Sequence, residues 1–380
     1  MARGVHYLVT VRVLIAPDKF KGTLTAGEAA TAIARGWRRS RPRDELELVP
    51  ISDGGDGFGS VFAGLTGAKP VTTITVNAAG RRCAIRWWWE AAGKVAIIES
   101  ARVIGLAMLP PGAFHPFQLD THGLAAVLRA AAKRGARRCV VGIGGSATND
   151  GGFGLACGLG WRFFDAGGGA IECWTELARL TRIERPREQT WPRQISVAVD
   201  VQNPLLGARG CTRVYGPQKG LRPRDFAQAE AALRRLGKVF REQFGEEIAA
   251  KPGAGAAGGL GFGLAAFTGA SLEPGFELVA EAARLGGKLR RADVVITGEG
   301  RLDRSTLMGK GVGELAARCR KCGVDCIALG GSIADRGKLR GTFSSVRALT
   351  DMTSATRAQA EARLWLARLA SETARQIEQA

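Results

Sequence analysis

The sequence predicts an α/β protein in which a flavodoxin-like parallel-sheet domain is interrupted by a second, mixed α+β domain. Three observations carry that expectation. Five apolar, β-branched runs each end in a polar or glycine-rich loop, and helix-like patterns lie between them. Alternation of this kind builds a parallel sheet covered on both faces. More than 200 residues separate the second run from the third, and that insertion has a different grammar.

In chain order, VRVLIAPD (11–18) reads as a buried strand leaving for a loop. Arg12 breaks the apolar part of the N-terminus, which argues against a signal peptide. The pattern TAGEAATAIARGWRR (25–39) reads as a helix, and LELVPISDGG (46–55) as the second strand. The insertion opens with the strand-like pieces VTTITV (71–76), CAIRWWWE (83–90) and KVAIIES (94–100), separated by Ala-Gly turns. A helix over 121–134, a strand over 138–143, the loop GIGGSATNDGG (142–152) and the strand ISVAVD (195–200) follow. The first domain then resumes with DVVITGEG (293–300), GELAARCRKCG, DCIALGGS (325–332), SVRALTD (345–351) and a terminal helix. Its expected limits are 1–65 plus 285–380, with 66–284 as the inserted domain. In such folds the ligand lies outside the carboxyl ends of the strands, here in a cleft facing the insertion.

Composition narrows the class. At 380 residues the chain is long enough for two cores. No apolar run approaches the ~20 residues that span a bilayer, so a cytoplasmic protein without membrane contact is expected. The formal charge of +19 is spread over the helices (Arg35, Arg38, Arg39, Arg41 and Arg43, for example) rather than gathered in an arm. Solvated basic faces and an anionic small-molecule substrate both fit it. A nucleic-acid-binding protein without catalysis is the rival from another class. It would need stacking aromatics, for which only Trp87-Trp88-Trp89 qualify, and these read better as strand-buried packing. CRKCGVDC resembles metal-ligand spacing, but no fourth ligand is near and His6, His115 and His122 are distant in sequence, so Cys319, Cys322 and Cys326 read as reduced thiols.

The chemistry-bearing residues gather at strand ends. Asp18, Lys19 and Lys21 follow the first strand, Asp53 and Asp56 the second, and Glu299, Arg301 and Asp303 the third. The insertion adds the glycine loop, Asp200 with Asn203, and GPQKG (216–220). A glycine-rich loop between a strand and a helix lets backbone N–H groups converge on a phosphate, and the same orphan groups can be capped by Asn149 or Asp150. PGAGAAGGLGFG (252–263) contains a formal G-x-G-x-x-G at Gly253, Gly255 and Gly258. It follows no strand, so it reads as a loop approaching a phosphate or another backbone closely. Carboxylates that can hold Mg²⁺, mixed with Lys and Arg, suit phosphoryl transfer. There is no G-x₄-G-K-[ST], no His-Arg-Asp and no G-x-S-x-G, which excludes P-loop enzymes, protein kinases and α/β-hydrolases.

Seven stretches in register carry a resemblance: APDKFKGTLTA (16–26), SDGGDG (52–57), GIGGSATNDGG, DVQNPLLGARG (200–210), GPQKG, PGAGAAGGLG (252–261) and TGEGRLDRSTLMGK (297–310). Together they resemble the glycerate kinase family of the GarK/GlxK type. The resemblance implies ATP-dependent phosphorylation of D-glycerate, usually on the 2-hydroxyl, giving 2-phosphoglycerate, and the carboxylate clusters make Mg²⁺ the expected metal. The 3-hydroxyl is the alternative. It also implies a restriction-endonuclease-like topology for the inserted domain. Carried over, Asp200, Arg301, Lys19 and Glu299 are expected in catalysis. Asp18, Lys21, Gly144, Gly145, Ser146, Thr148, Asn149, Asn203, Lys219, Gly255, Gly258 and Asp303 are expected to bind substrate or phosphate. Asp53, Asp56 and Asp150 are expected to hold metal. Within these sets Arg301 or Lys19 would clamp the substrate carboxylate, one or two of Asp53, Asp200 and Glu299 would hold Mg²⁺, and Asp200 would accept the hydroxyl proton. GKGVG (309–313), ALTDMTSA and Lys19 depart from the family pattern. The assembly state stays open between monomer and homodimer.

Overall fold

The structure, a computed structural model, describes residues 10–307 and 311–377. His6, and Gly309 and Lys310 of the GKGVG departure, lie outside the described residues. The chain divides into two compact units, Met1–Ser52 with Val279–Ala380, and Asp53–Leu278.

In the first unit five strands form one sheet in the order Ser345–Ala348, Asp325–Ile333, Val294–Leu302, Arg12–Ile15, Glu45–Leu48. Every neighbouring pair is parallel; Val13, for instance, sits opposite Val294 on one side and Leu46 on the other. Successive residues Val13, Leu14 and Ile15 are all buried, which is what a sheet covered on both faces requires. Helix Ala26–Ser40 starts at Thr25, whose hydroxyl accepts from Glu28 N while the Glu28 carboxylate accepts from Thr25 N. It packs against helix Ala362–Gln376, and a Cβ on Gly36 would lie 1.9 Å from the Ala367 carbonyl oxygen. Only glycine permits that approach. Helix Gly311–Cys322 packs on Val294–Leu302 and Asp325–Ile333.

The second unit is built on a six-stranded mixed sheet, ordered Ser271–Pro274, Gln194–Val199, Arg138–Gly142, Val95–Glu99, Arg82–Glu90, Lys69–Val76. Lys69–Val76, Arg82–Glu90 and Val95–Glu99 are antiparallel neighbours, and the remaining pairs are parallel. Trp87 and Trp88 are buried, the Trp87 indole donates to Thr73 Oγ1 at 2.9 Å, and Arg102 lies over the Trp88 ring.

Several features differ from expectation. Helix Phe58–Thr66, expected in the first domain, packs on Arg82–Glu90 and Val95–Glu99 and belongs with the second unit. The unit limits therefore fall at Ser52/Asp53 and Leu278/Val279 rather than at 65/66 and 284/285. A hairpin (Arg162–Asp165 with Leu180–Glu184) and the long helix Phe226–Phe244 stand where no element was expected. The stretch read as a loop at 252–263 leads into helix Ala256–Thr268 through left-handed Ala257, Gly258 and Gly259. All eight cysteines are free thiols, with Cys319 and Cys326 buried. Among the described residues no helix is long and apolar enough to cross a membrane.

Candidate active site

In the first unit, the chain leaving Arg12–Ile15 keeps running alongside the strand Val294–Leu302. Ala16 N donates to Ile296 O and Asp18 N to Gly298 O, both at 2.8 Å, and Thr297 Oγ1 donates back to Ala16 O. A Cβ on Gly300 would lie 3.0 Å from Lys21 N. These contacts bring Asp18, Lys19 and Lys21 beside Glu299 and Arg301, at the carboxyl ends of neighbouring parallel strands. Asp18 is buried, and its Oδ1 accepts from Lys19 N at 2.6 Å. Glu299 Oε1 accepts from the buried Thr306 hydroxyl at 2.7 Å, and that hydroxyl accepts from Asp303 N at 3.1 Å. Asp303 also accepts from Ser305 N and pairs with Arg301 Nε at 3.4 Å. The Arg301 side chain is 69% exposed, so its charge is available to a ligand.

In the second unit, loops gather at the carboxyl ends of the parallel strands Val95–Glu99, Arg138–Gly142 and Gln194–Val199. The Asp53–Gly57 loop, expected to close the first domain's second strand, is seated here. A Cβ on Gly144 would lie 2.7 Å from Gly55 Cα, Gly144 N donates to Gly54 O, and Gly57 N donates to the buried Glu99 carboxylate at 2.7 Å. The second glycine-rich stretch is seated on the first. Gly258 (φ +73°) would put a Cβ 1.9 Å from the Thr148 carbonyl oxygen, and Gly151 N donates to Gly258 O. It therefore approaches a backbone, one of the two readings the sequence left open.

Loop 143–152 has two halves with different hydrogen bonding. Ser146 bridges Gly105, and the flanking groups make the bonds: Leu106 N to Gly145 O and Ala147 N to Ile104 O. In such a pair the Ser146 N–H faces away from its partner. Among the described residues nothing accepts from the N–H groups of Ser146, Thr148 or Asn149, although all three residues are buried. The Thr148 hydroxyl and the Asn149 side-chain oxygen are buried without partners as well. Buried orphan donors are rare, and a run of them beyond a strand end makes an anion nest. Lys219, at the end of helix Cys211–Lys219, supplies a cation beside it. Its Nζ donates to Ser146 Oγ at 2.9 Å and to Thr148 O at 2.7 Å. Burial pulls the Lys219 ammonium down to about 8, with Cys211 and Asp150 partly opposing the fall.

The second half of the loop is closed on itself. Asp150 Oδ2 accepts from Thr121 N, Thr121 Oγ1 and Gly154 N, and Oδ1 accepts from Gly152 N. Burial lifts its carboxyl to about 6, repulsion from Asp120 adds to this, and the Thr121 and Gly154 donors oppose it. Asp150 was expected among the metal-holding carboxylates. It is fully buried and accepts four hydrogen bonds, which bracket the loop and tether the start of helix Phe153–Gly158. Asn149 Nδ2 donates to Thr212 Oγ1, and Asn203 is held by Tyr215 and by the Arg209 carbonyl. Gly255 N donates to Asn203 O, so the two glycine stretches and the 200–212 loop share one framework. Asp53, Asp56 and Asp200 are partly or fully exposed. Among the described residues no three His, Cys, Asp or Glu side chains are grouped to hold a metal ion. One or two carboxylates suffice for Mg²⁺, which keeps its waters and takes further oxygens from phosphates, so Asp53, Asp200 and Glu299 fit that manner of binding.

The match to the model of the glycerate kinase family runs over residues 13–378. The chain belongs to the glycerate kinase family. It is 39% identical over 325 residues to a glycerate kinase of Halalkalibacterium halodurans, covering 84% of this chain and 85% of that protein. It is 34% identical over 336 residues to the glycerate 2-kinase of Escherichia coli K12, covering 86% of each. A solved structure from Salmonella typhimurium LT2, provisionally described as glycerate kinase 2, matches with a TM-score of 0.84 at 32% identity, covering 97% of this chain and 99% of that one.

Within this family member, sequence reasoning missed Thr306, Glu99, Tyr215 and Thr212. Thr306, Tyr215 and Thr212 each touch a residue that was named, and Glu99 touches Gly57 of the SDGGDG stretch. Thr306 lay inside TGEGRLDRSTLMGK, and its place three residues after Asp303 was an available signal. Glu99 carried none, because its partner Gly57 is 42 residues away.

Proposed function

We propose that the protein transfers the γ-phosphoryl group of ATP to the 2-hydroxyl of D-glycerate, releasing ADP and 2-phosphoglycerate. Family membership supports the reaction class. The observation that carries the mechanism is the nest of undonated N–H groups beside a buried lysine, a place for phosphate oxygens in a water-poor setting. The hydroxyl oxygen attacks the γ-phosphorus, the bond to the β-phosphate oxygen breaks, and the hydroxyl proton passes to the exposed carboxylate of Asp200. Arg301, with Lys19, holds the glycerate carboxylate, and Arg301 presents the planar fork that suits it. Asp18, Lys21 and Asp303 shape the same cluster, while Asn203 and Gly255 order the 200–212 loop. One or two of Asp53, Asp200 and Glu299 would hold Mg²⁺, with Asp56 nearby in sequence, and the ion would neutralise phosphate charge.

The order of the first unit's sheet supports a flavodoxin-like reading, since numbering its strands along the chain gives 2-1-3-4-5. The mixed sheet of the second unit supports the restriction-endonuclease-like assignment. Burial of Trp87 and Trp88 removes the stacking surface that a nucleic-acid platform would use. The cytoplasm is the proposed compartment.

The test is a coupled ADP-release assay with ATP, Mg²⁺ and D-glycerate, followed by ³¹P NMR of the product. A 2-phosphoglycerate resonance is expected. A 3-phosphoglycerate resonance would overturn the regiochemistry alone, and no transfer to D-glycerate would overturn the proposal.

A further inference from the structure

Lys219 is buried, with only 6% of the residue exposed. No carboxylate pairs with it among the described residues; its two acceptors are a hydroxyl and a carbonyl. A buried cation without a counter-ion is among the more destabilising arrangements a core can hold. Its neighbours relieve it only in part, since Cys211 and Asp150 favour the charged form without pairing with it. On its own helix Cys211 is a buried thiol pushed up to about 11, chiefly by burial. Asp150 is turned toward Thr121, Gly152 and Gly154. Glu230, on helix Phe226–Phe244, pairs with Arg213 and Arg234. Lys219 nonetheless grips two points of the same loop, the Ser146 hydroxyl and the Thr148 carbonyl, either side of Ala147.

We infer that Lys219 is the positioning residue of the phosphate loop: by tying Ser146 Oγ to Thr148 O it turns the N–H groups of Ser146, Thr148 and Asn149 toward an incoming phosphate. Pulling the Thr148 carbonyl toward the ammonium commits that peptide plane, and the N–H of Asn149 belongs to the same plane and points the other way. Gly258, whose missing side chain leaves room for the Thr148 carbonyl, closes the same point from the opposite stretch. Lys219 acts through the loop, and a bound phosphate supplies a counter-charge for the buried ammonium. The inference rests on the loop being the phosphate site, and its test is read without glycerate turnover.

The experiment is a double-mutant cycle on Ser146→Ala and Lys219→Met, read by calorimetric binding of MgADP and of inorganic phosphate, with thermal melting alongside. Lys219→Met should weaken MgADP binding roughly 100-fold, as expected for loss of a charged hydrogen-bond anchor. Its melting temperature should hold or rise, because methionine fills the space without a buried charge. Ser146→Ala should weaken binding less, and the double variant should match Lys219→Met alone, since one partner acts through the other. Lys219→Arg, which keeps the charge, should recover at least part of the lost affinity.

Strictly additive effects would overturn the inference by making Lys219 an independent charge. A melting temperature that falls together with affinity in Lys219→Met would overturn it by making the role structural. If wild-type protein binds MgADP but does not phosphorylate D-glycerate, the substrate proposal fails while the positioning role stands.

Discussion

Two loops at strand ends do their work by different means. The loop at 143–152 is buried, glycine-dense and set by backbone: Asp150 brackets one half and Lys219 the other, and its free groups are peptide N–H donors. The segment 299–306 is more open and set by side chains, with Arg301 exposed and Glu299 accepting from a threonine hydroxyl. Fixed dipoles in a dry site need no reorganisation when charge arrives, whereas exposed side chains adapt to a ligand's shape. The first arrangement suits an invariant group such as phosphate. The second suits recognition of one particular acid. Substitutions in the first loop should therefore damage fold and binding together, and those in the second should alter kinetics while leaving the fold alone.

The largest effect should come from Gly258→Ala. The added carbon would meet the Thr148 carbonyl oxygen at 1.9 Å, in a left-handed conformation that alanine already disfavours. A loss of at least about 3 kcal/mol by urea titration is expected, with little activity remaining. A variant that melts like wild type and keeps its affinity for MgADP would show that the two glycine stretches are not locked together.

Asp150→Ala should follow, at about 3–5 kcal/mol, because it strands four donors in the interior. Asp150 also carries a pH signature. Its folded carboxyl titrates at about 6 against 3.8 for the free group. The folded state thus holds a proton that the unfolded state has released between those values. Its contribution is complete below 3.8 and is lost as pH rises through about 6. Asp150→Asn should flatten that part of the stability profile; an unchanged slope would assign the titration to another group.

Arg301→Ala tests the open region. Exposed ion pairs such as Arg301–Asp303 contribute little, so stability should stay within about 0.5 kcal/mol. The KM for glycerate should rise at least tenfold or so, from loss of a bidentate charged contact, with KM for ATP unmoved. An unchanged glycerate KM would take Arg301 out of substrate binding.

How much of this was legible follows from the range of the interactions. The strands of the first unit were visible because each is a β-branched run ending in a polar cluster, a local signal. The Thr25–Glu28 capping box was equally local. Helix Phe226–Phe244 was legible too, in the spacing of Ala229, Leu233, Leu236 and Phe240, all of them buried, but it was not read. The helix at Ala256–Thr268 was masked by Gly258, Gly259, Gly261 and Gly263, whose low helix propensity argues for a loop until the packing against 143–152 is known. The seat of the Asp53–Gly57 loop depends on Gly144 and Glu99, far along the chain. In sequence Asp150 looked like Asp53 and Asp56, which are half-buried and exposed, and its full burial becomes visible only in the tertiary structure. The motifs named candidate residues; the tertiary contacts show which of them are tied into the framework of the loops.

The smallest effect, and the sharpest on the comparison, should come from Thr306→Val. The Thr306 hydroxyl donates to Glu299 Oε1 at 2.7 Å and accepts from Asp303 N at 3.1 Å, so one atom orders two members of the open cluster. Valine keeps the volume and removes both bonds. Losing one such bond to a carboxylate is worth about 1.5 kcal/mol at the low end, or roughly tenfold. The loss should appear in kcat if Glu299 acts on the transferring phosphoryl group or on the ion beside it, because a carboxylate that wanders binds ground states almost as well. Thr306→Ser restores the hydroxyl and should restore kcat. If Thr306→Val leaves kcat untouched, the threonine hydroxyl is not what orders Glu299 for the reaction. The contrast with the prearranged loop at 143–152 would then be wider than the structure alone implies.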